Sequence, residues 1–365
     1  MTEKDKEKLR LVVKIGSNVL TRKDGTLDVT RMSALIDQIV ELKQAGVEVI
    51  VVSSGAVAAG KAEIQPHSKL DMVSSRQLFS AVGQVKLINH YHSLFQQHKV
   101  ICGQILATKE DFATRRHYLN QRNCMTVMLE NGAVPIVNEN DAISVNELMF
   151  TDNDELSGLV AAMMDAQKLI ILSNIDGIYN GDPASADAEV IRTIDVLKDN
   201  IEEYIRSSKS SAGRGGMQTK YNIARKVAEE GVEVIIANGK RENILCDIVG
   251  QQAGCIYTRF APVEKKTSSV KKWIAHSEGF AKGEVYINEG AKDALSGDKA
   301  ISLLPVGVVK ITGEFEADDI VKIMAENGAQ IGVGKIACDS EEARAQIGKK
   351  QTKPIIHYDY LYLEK

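Results

Sequence analysis

Residues 213–220 read GRGGMQTK, three glycines ahead of a lysine where a helical pattern opens. Gly213, Gly215 and Gly216 carry no Cβ, so the backbone there can come close to a ligand. Free N–H groups at the helix start, and the positive end of its dipole, favour an anion. Lys220 adds a full positive charge at that spot, and the combination suggests phosphate. The spacing is not G-x-x-x-x-G-K-[ST], so this is not an ordinary P-loop. Taken alone, the segment also fits a plain loop leading into a helix. A second lysine–glycine element, Lys14-Ile15-Gly16-Ser17, closes the first apolar run. Burying an unpaired charge is costly, so Lys14 should reach into a crevice rather than the core. A strand-end lysine that snorkels to solvent is the plain alternative.

Three more polar clusters stand at the ends of apolar runs. Ser53-Ser54-Gly55-Ala56 offers backbone amides and hydroxyls that can hold a carboxylate, or a serine N-cap. Asn138-Glu139-Asn140-Asp141 follows AVPIVN, and Asn138 with Asp141 can bind an α-amino group, or form an Asx turn. Thr151-Asp152-Asn153-Asp154-Glu155 precedes a helical pattern, and Asp152 with Glu155 has capping-box spacing. A calcium loop starting at Asp152 would put Leu156 where an oxygen ligand is required. The seven histidines form no H-E-x-x-H set, which gives no zinc site. The five cysteines are never spaced C-x-x-C and fit reduced thiols in a cytosolic protein.

These clusters need elements to position them. From residue 9 to about 258, short apolar runs alternate with helical patterns. LRLVVKI, VEVIVVSS, VICGQILA, AVPIVN, KLIILS and VEVIIA read as strands covered on both faces. Helical spacing covers 30–45, the stretch SSRQLFSAVGQVKLINHYHSLFQQH, 114–131 and 155–165, and a polar loop lies at 62–73. Such alternation implies an α/β fold with a doubly wound, mainly parallel sheet. In that fold, ligands bind beyond the carboxyl ends of the strands, where the four clusters fall. The texture changes near residue 260. A polar, lysine-rich linker is expected over 261–273, between a domain at 1–260 and a smaller, mainly β domain at 274–365. That smaller domain should hold strands at EVYIN, ISLL, GVVKIT, DIVKIM and QIGVGKI, with helices at GAKDAL and SEEARAQI.

The chain has 365 residues, 44% of them hydrophobic, enough for a large core and two domains. Its net charge of −4 gives no bulk attraction to nucleic acid or to an anionic membrane. The charged N-terminus MTEKDKEKLR lacks the apolar core of a signal peptide, and no apolar run reaches membrane-spanning length. From 273 to 365 there are 11 Lys/Arg against 15 Asp/Glu, the wrong sign for phosphate contacts along an RNA.

Taken together and in order, VVKIGSNVL, VIVVSSGAVAAG, VPIVNENDA, TDNDELSGLVA, IDGIYNGDP and GRGGMQTK resemble the amino acid kinase family. The resemblance lies with its branch acting on free glutamate and covers nearly the whole chain. The part after about residue 274 resembles a PUA domain. The resemblance implies phosphoryl transfer from ATP, with Mg2+ carried on its phosphates, to the γ-carboxylate of L-glutamate. This is the first step of proline synthesis. It gives Lys14 and Lys220 the neutralising of charge on the transferring phosphoryl group, and Asp154 the organising of these lysines. Ser54, Asp141 and Asn153 would contact glutamate, and Gly55, Asn138 and Asp152 are grouped with them as substrate-binding. Nucleotide contacts would come from Lys14, from the Ser173-Asn174 turn and from Arg214, Gly215, Gly216, Met217, Gln218, Thr219 and Lys220. Ser173-Asn174 stands where the family usually has Thr-Asp, and Arg214 where it has Thr. The resemblance further implies a homo-oligomer, dimer or tetramer, in the cytoplasm, and feedback inhibition by proline near 62–73 and NENDAISVNELMF. The chemistry is consistent with this. A glutamate carboxylate with pKa ~4.3 is already an anionic nucleophile at neutral pH and needs no general base. The barrier is charge repulsion, which positioned cations relieve.

Overall fold

β-Branched runs form the strands that carry the site. The computed structural model describes residues 8–143, 152–183, 185, 187–199, 216–264, 273–274, 280–297, 301–350 and 353–363. The chain divides into two compact units, Met1–Thr108 with Gln121–Lys266, and Lys109–Asn120 with Thr267–Lys365. In the first, β1 (Arg10–Ile15), β2 (Glu48–Ser53), β3 (Cys102–Ala107), β4 (Val134–Glu139), β5 (Lys168–Ser173), β6 (Thr193–Asp195), β7 (Glu233–Asn238) and β8 (Tyr257–Ala261) form one sheet. Its order is β3-β4-β2-β1-β5-β7-β8-β6. The strands from β3 to β7 in that order run parallel, whereas β8 is antiparallel to β7 and β6 follows β8. The chain leaves β1 toward β2 on one side and returns as β5 on the other, which makes the β1 carboxyl end a topological switch point.

Helices α1 (Ser17–Leu20), α2 (Val29–Gln44), α3 (Ala56–Glu63), α4 (Met72–Gln97), α7 (Asn153–Met163), α8 (Met217–Glu229) and α9 (Ile244–Val249) accompany these strands, whereas α5 (Glu110–Ala113) and the start of α6 (Arg115–Glu130) belong to the second unit. Leu11, Val12 and Val13 are all buried, so both faces of β1 are covered. Helix α7 is buried from Leu156 to Met163 and packs on β1, β5 and α8. Gly158 permits that approach. A Cβ there would stand 3.0 Å from Ile223 Cγ2 and from Val227 Cγ2 of α8. Helices α3 and α4 cross closer still. A Cβ on Gly60 would fall 1.8 Å from the Phe79 carbonyl oxygen, and one on Gly83 1.8 Å from that of Ala56.

The second unit has its own sheet, order β10-β9-β11-β12-β13, built from β9 (Gly283–Ile287), β10 (Val308–Gly313), β11 (Ile320–Ala325), β12 (Gln330–Lys335) and β13 (Leu361–Leu363). Helices α10 (Glu289–Ser296) and α11 (Ser340–Gln346) belong with it. Val285, Ile287, Val321, Ile323 and Ile356 lie in a separate core. Within this unit Trp273 Nε1 donates to the Phe112 carbonyl at 2.9 Å. Among the described residues no helix is long and apolar enough to cross a membrane.

Candidate active site

A cleft of about 690 Å3 opens at the carboxyl ends of β1, β2, β4 and β5. Four sequence clusters meet there. Lys14 comes from β1, Ser54 and Gly55 from the turn after β2, Asn138 and Asp141 from the end of β4, and Asp152, Asn153 and Asp154 from the start of α7. Ser173 and Asn174 line it from the end of β5, and Lys220 from the first turn of α8.

Asp154 is the centre of charge. Its carboxylate is fully buried and lies 2.6 Å from Lys14 Nζ through Oδ1 and 2.8 Å from Lys220 Nζ through Oδ2. Burial pushes its carboxyl up, but the two ammonium groups outweigh that and hold it at about 2. Lys14 is thus neither in the core unpaired nor snorkelling. Gly16 lets the backbone close in beside it, donating to the Leu172 carbonyl at 3.2 Å, where a Cβ would stand 3.1 Å from that oxygen.

Asp152 caps α7, its Oδ1 accepting from the amides of Asp154 and Glu155 at 2.8 and 3.2 Å. The capping-box spacing is therefore structural in part. Its Oδ2 is buried and has no hydrogen-bond donor among the described residues. Burial, then the neighbouring Asp154 charge, raises this carboxyl to about 6. Asn153 Nδ2 lies within 2.7–3.0 Å of the Ser53 carbonyl, Ser54 Oγ and Asn138 Oδ1, which fixes the amide's orientation. Its Oδ1 is likewise buried without a donor. Two acceptors without donors, on residues that line one cleft, fit a ligand that supplies donors, such as an ammonium group or metal-bound water. Gly55, at φ 105°, opens α3, and no side chain caps that helix start. Its amides stay available for an anion, and the serine-cap alternative does not hold.

Asn138 Nδ2 donates to Gln84 Oε1 at 2.8 Å, so this residue ties the end of β4 to α4. Gly216 opens α8 with no side-chain cap. Met217, Gln218 and Thr219 form its first turn, but among the described residues of this segment only Lys220 reaches the cleft lining. Arg214 and Gly215 lie outside the described residues, as do Gly213, Thr151, most of the linker and the end of NENDAISVNELMF. Among the lining residues that the sequence did not single out are Lys61 on α3 and Ser75, Arg76 and Phe79 on α4. Arg76 binds both Glu139 and Asp141. Its only sequence signal is one arginine in a helical pattern. Among the described residues, no group of three or more His, Cys, Asp or Glu could hold a metal ion.

Residues 9–238 match the model of the amino acid kinase family, and residues 283–358 that of the PUA domain. The chain is 67% identical to the glutamate 5-kinase of Bacteroides thetaiotaomicron, over 97% of its own length and 98% of that protein. It is 49% identical to the glutamate 5-kinase of Chlorobaculum tepidum, over 97% of each. Among solved structures, carbamate kinase from Giardia lamblia bound to AMP-PNP superposes with TM-score 0.50 at 16% identity. That match covers 70% of this chain and 99% of the other. The sheet order, the cleft at its switch point and these matches agree, and the chain belongs to the amino acid kinase family.

Proposed function

We propose that this chain transfers the γ-phosphoryl group of ATP to the γ-carboxylate of L-glutamate, giving L-glutamyl 5-phosphate for proline synthesis. The observation that carries the reading is the buried Asp154 carboxylate bridging Lys14 and Lys220 at the cleft floor. One carboxylate and two ammonium groups leave an excess positive charge where an anionic nucleophile must meet a polyphosphate. Asp154 holds both lysines in place without cancelling them. Ser54, Asn153 and Asp141 bind the amino acid, aided by Gly55, Asn138 and Asp152. Ser173, Asn174, Gly216 and the residues flanking it bind the nucleotide. Mg2+ bound on the phosphates would neutralise further charge on the polyphosphate, and Asp152 would accept from one of its waters. The relatives at 67% and 49% identity support glutamate as the acceptor.

The same reading assigns 1–260 to the kinase domain, 261–273 to a linker and 274–365 to a PUA-like domain. It also carries a homo-oligomer in the cytoplasm and end-product inhibition by proline. The test is acyl-phosphate formation trapped with hydroxylamine, comparing glutamate, N-acetylglutamate and aspartate with ATP and Mg2+. A hydroxamate signal with glutamate alone is the expected result. A signal with another acid instead would overturn the substrate.

A further inference from the structure

Arg76 projects from α4 into the cleft and takes no part in the reading above. Its Nε donates to Asp141 Oδ1 at 2.6 Å, and one of its terminal nitrogens lies 2.8 Å from Glu139 Oε2. Both carboxylates are buried, Glu139 at the last position of β4 and Asp141 two residues on. Ser80, one turn further along α4, donates a long hydrogen bond of 3.4 Å to Asp141 Oδ2. Two carboxylates and one guanidinium leave one net negative charge. Without the guanidinium, the two buried carboxylates would face each other with no counter-charge, each disfavouring the charge on the other. A guanidinium suits the task, since its planar fork can engage two carboxylates at once.

We propose that Arg76 is a positioning residue that sets substrate specificity: it cancels one of two buried carboxylates, and so presents Asp141 as a singly negative subsite for one primary ammonium group. This rests on the reading of the chain as a kinase of a free amino acid. An ammonium brings the subsite to neutrality and supplies three N–H donors. An N-acylated acid brings no charge and leaves a buried carboxylate unmatched, which is how a polar site rejects the analogue that lacks the group. Burial pushes the Asp141 carboxyl up while Arg76 opposes that push, consistent with the geometry.

The test is the full-length protein in five forms: wild type, R76K, R76M, E139Q and the double variant R76M/E139Q. The net charge of the subsite is then −1, −1, −2, 0 and −1. KM for glutamate, KM for ATP and kcat are measured at neutral pH, with a melting temperature for each form. R76M and E139Q should each raise the glutamate KM by about 10- to 100-fold, with kcat and the ATP KM little changed. R76K and the double variant should recover most of the loss. A double variant worse than either single change would mean that Arg76 only packs, and would overturn the proposal. So would an unchanged glutamate KM in R76M. If R76M does not fold, E139Q against R76K decides, since charge matching requires the first to be impaired and the second spared. Wild-type protein inactive on glutamate would instead overturn the kinase reading itself, before any variant is compared.

Discussion

Two ion triads line one cleft, and they are built with opposite signs. At the floor, Asp154 sits between Lys14 and Lys220 with one positive charge in excess. In the second, Arg76 sits between Glu139 and Asp141 with one negative charge in excess. In each, a central ion of one sign holds two of the other, so neither member of the like-charged pair is left to repel its twin unopposed. On the proposed function, the surplus charge of each would match its ligand, a phosphoryl group or an ammonium group. The two differ in robustness to acid. Asp154 is held at about 2 by its lysines, whereas burial leaves Asp141 raised. The negative triad is therefore the first that acid undoes.

Breaking the floor triad should have the largest effect. Asp154→Asn leaves two lysines facing each other without a counter-charge, and removing one partner of a buried ion pair costs about 3–5 kcal/mol. Urea denaturation at neutral pH should show that loss, together with loss of turnover. An unaltered unfolding midpoint would mean that Asp154 does not hold the lysines apart. Lys220→Ala is milder for the fold and severe for chemistry. It should lower kcat by about 100- to 1,000-fold, as removal of one transition-state charge donor does. The glutamate KM should move little, because the amino-acid subsite keeps its own triad. Equal loss in kcat and in glutamate affinity would erase the division of labour between the two triads.

The members of the floor triad were legible in the sequence, and so was the Glu139–Asp141 cluster of the other triad, but its Arg76 was not. Lys14, Asp154 and Lys220 each stand in a short polar cluster at the edge of an apolar run, and a doubly wound sheet gathers such edges at one end. Arg76 lies within the stretch SSRQLFSAVGQVK, where one arginine looks like any solvated helix position. Its partners are 63 and 65 residues away, at the end of β4 and just beyond it, so no local pattern announces the pairing. The parallel strands were equally readable, because β-branched runs covered on both faces leave an unbroken apolar signature. Strands β6 and β8 were not. β6 has three residues, and β8 reads YTRFA, with alternating burial at the sheet's antiparallel edge. Arg259 within it bonds Glu233 of β7, a long-range pair that no local pattern announces.

A smaller effect should come from Asp152, whose carboxyl feels the charges of Asp154, Lys14 and Lys220. Its carboxyl is raised to about 6, so the folded protein prefers it protonated. Stability from this group is greatest below its ordinary value of 3.8, falls as pH rises toward about 6, and stays lower above that. Asp154 runs the other way and gains stability as pH rises from about 2. Asp152→Asn keeps the helix cap, since asparagine caps as well as aspartate. The variant should match wild type in strong acid and exceed it at neutral pH by about 1–3 kcal/mol in denaturant melts. Its glutamate KM should rise, because an acceptor for the ligand is lost. A variant no more stable at pH 8 than at pH 4, relative to wild type, would show that the charge carries no burial cost.

The smallest change tests whether the turn after β2 serves both triads. Tyr91 is fully buried in the core, and its hydroxyl lies 2.8 Å from Ser53 Oγ at the end of β2. Ser53 also bonds the Ser54 carbonyl, and its own carbonyl accepts from Asn153, so the tyrosine braces the turn at one remove from the ligand. Tyr91→Phe keeps the ring and removes one hydrogen bond, at a cost of about 1 kcal/mol. Ser53 retains its bond to Ser54, so the turn should loosen rather than collapse. Because the turn adjoins Asn153 on one side and the uncapped start of α3 on the other, kcat and the glutamate KM should each shift by a few-fold. A change in KM alone would place the turn with the ammonium subsite, and a change in kcat alone would place it with the lysines.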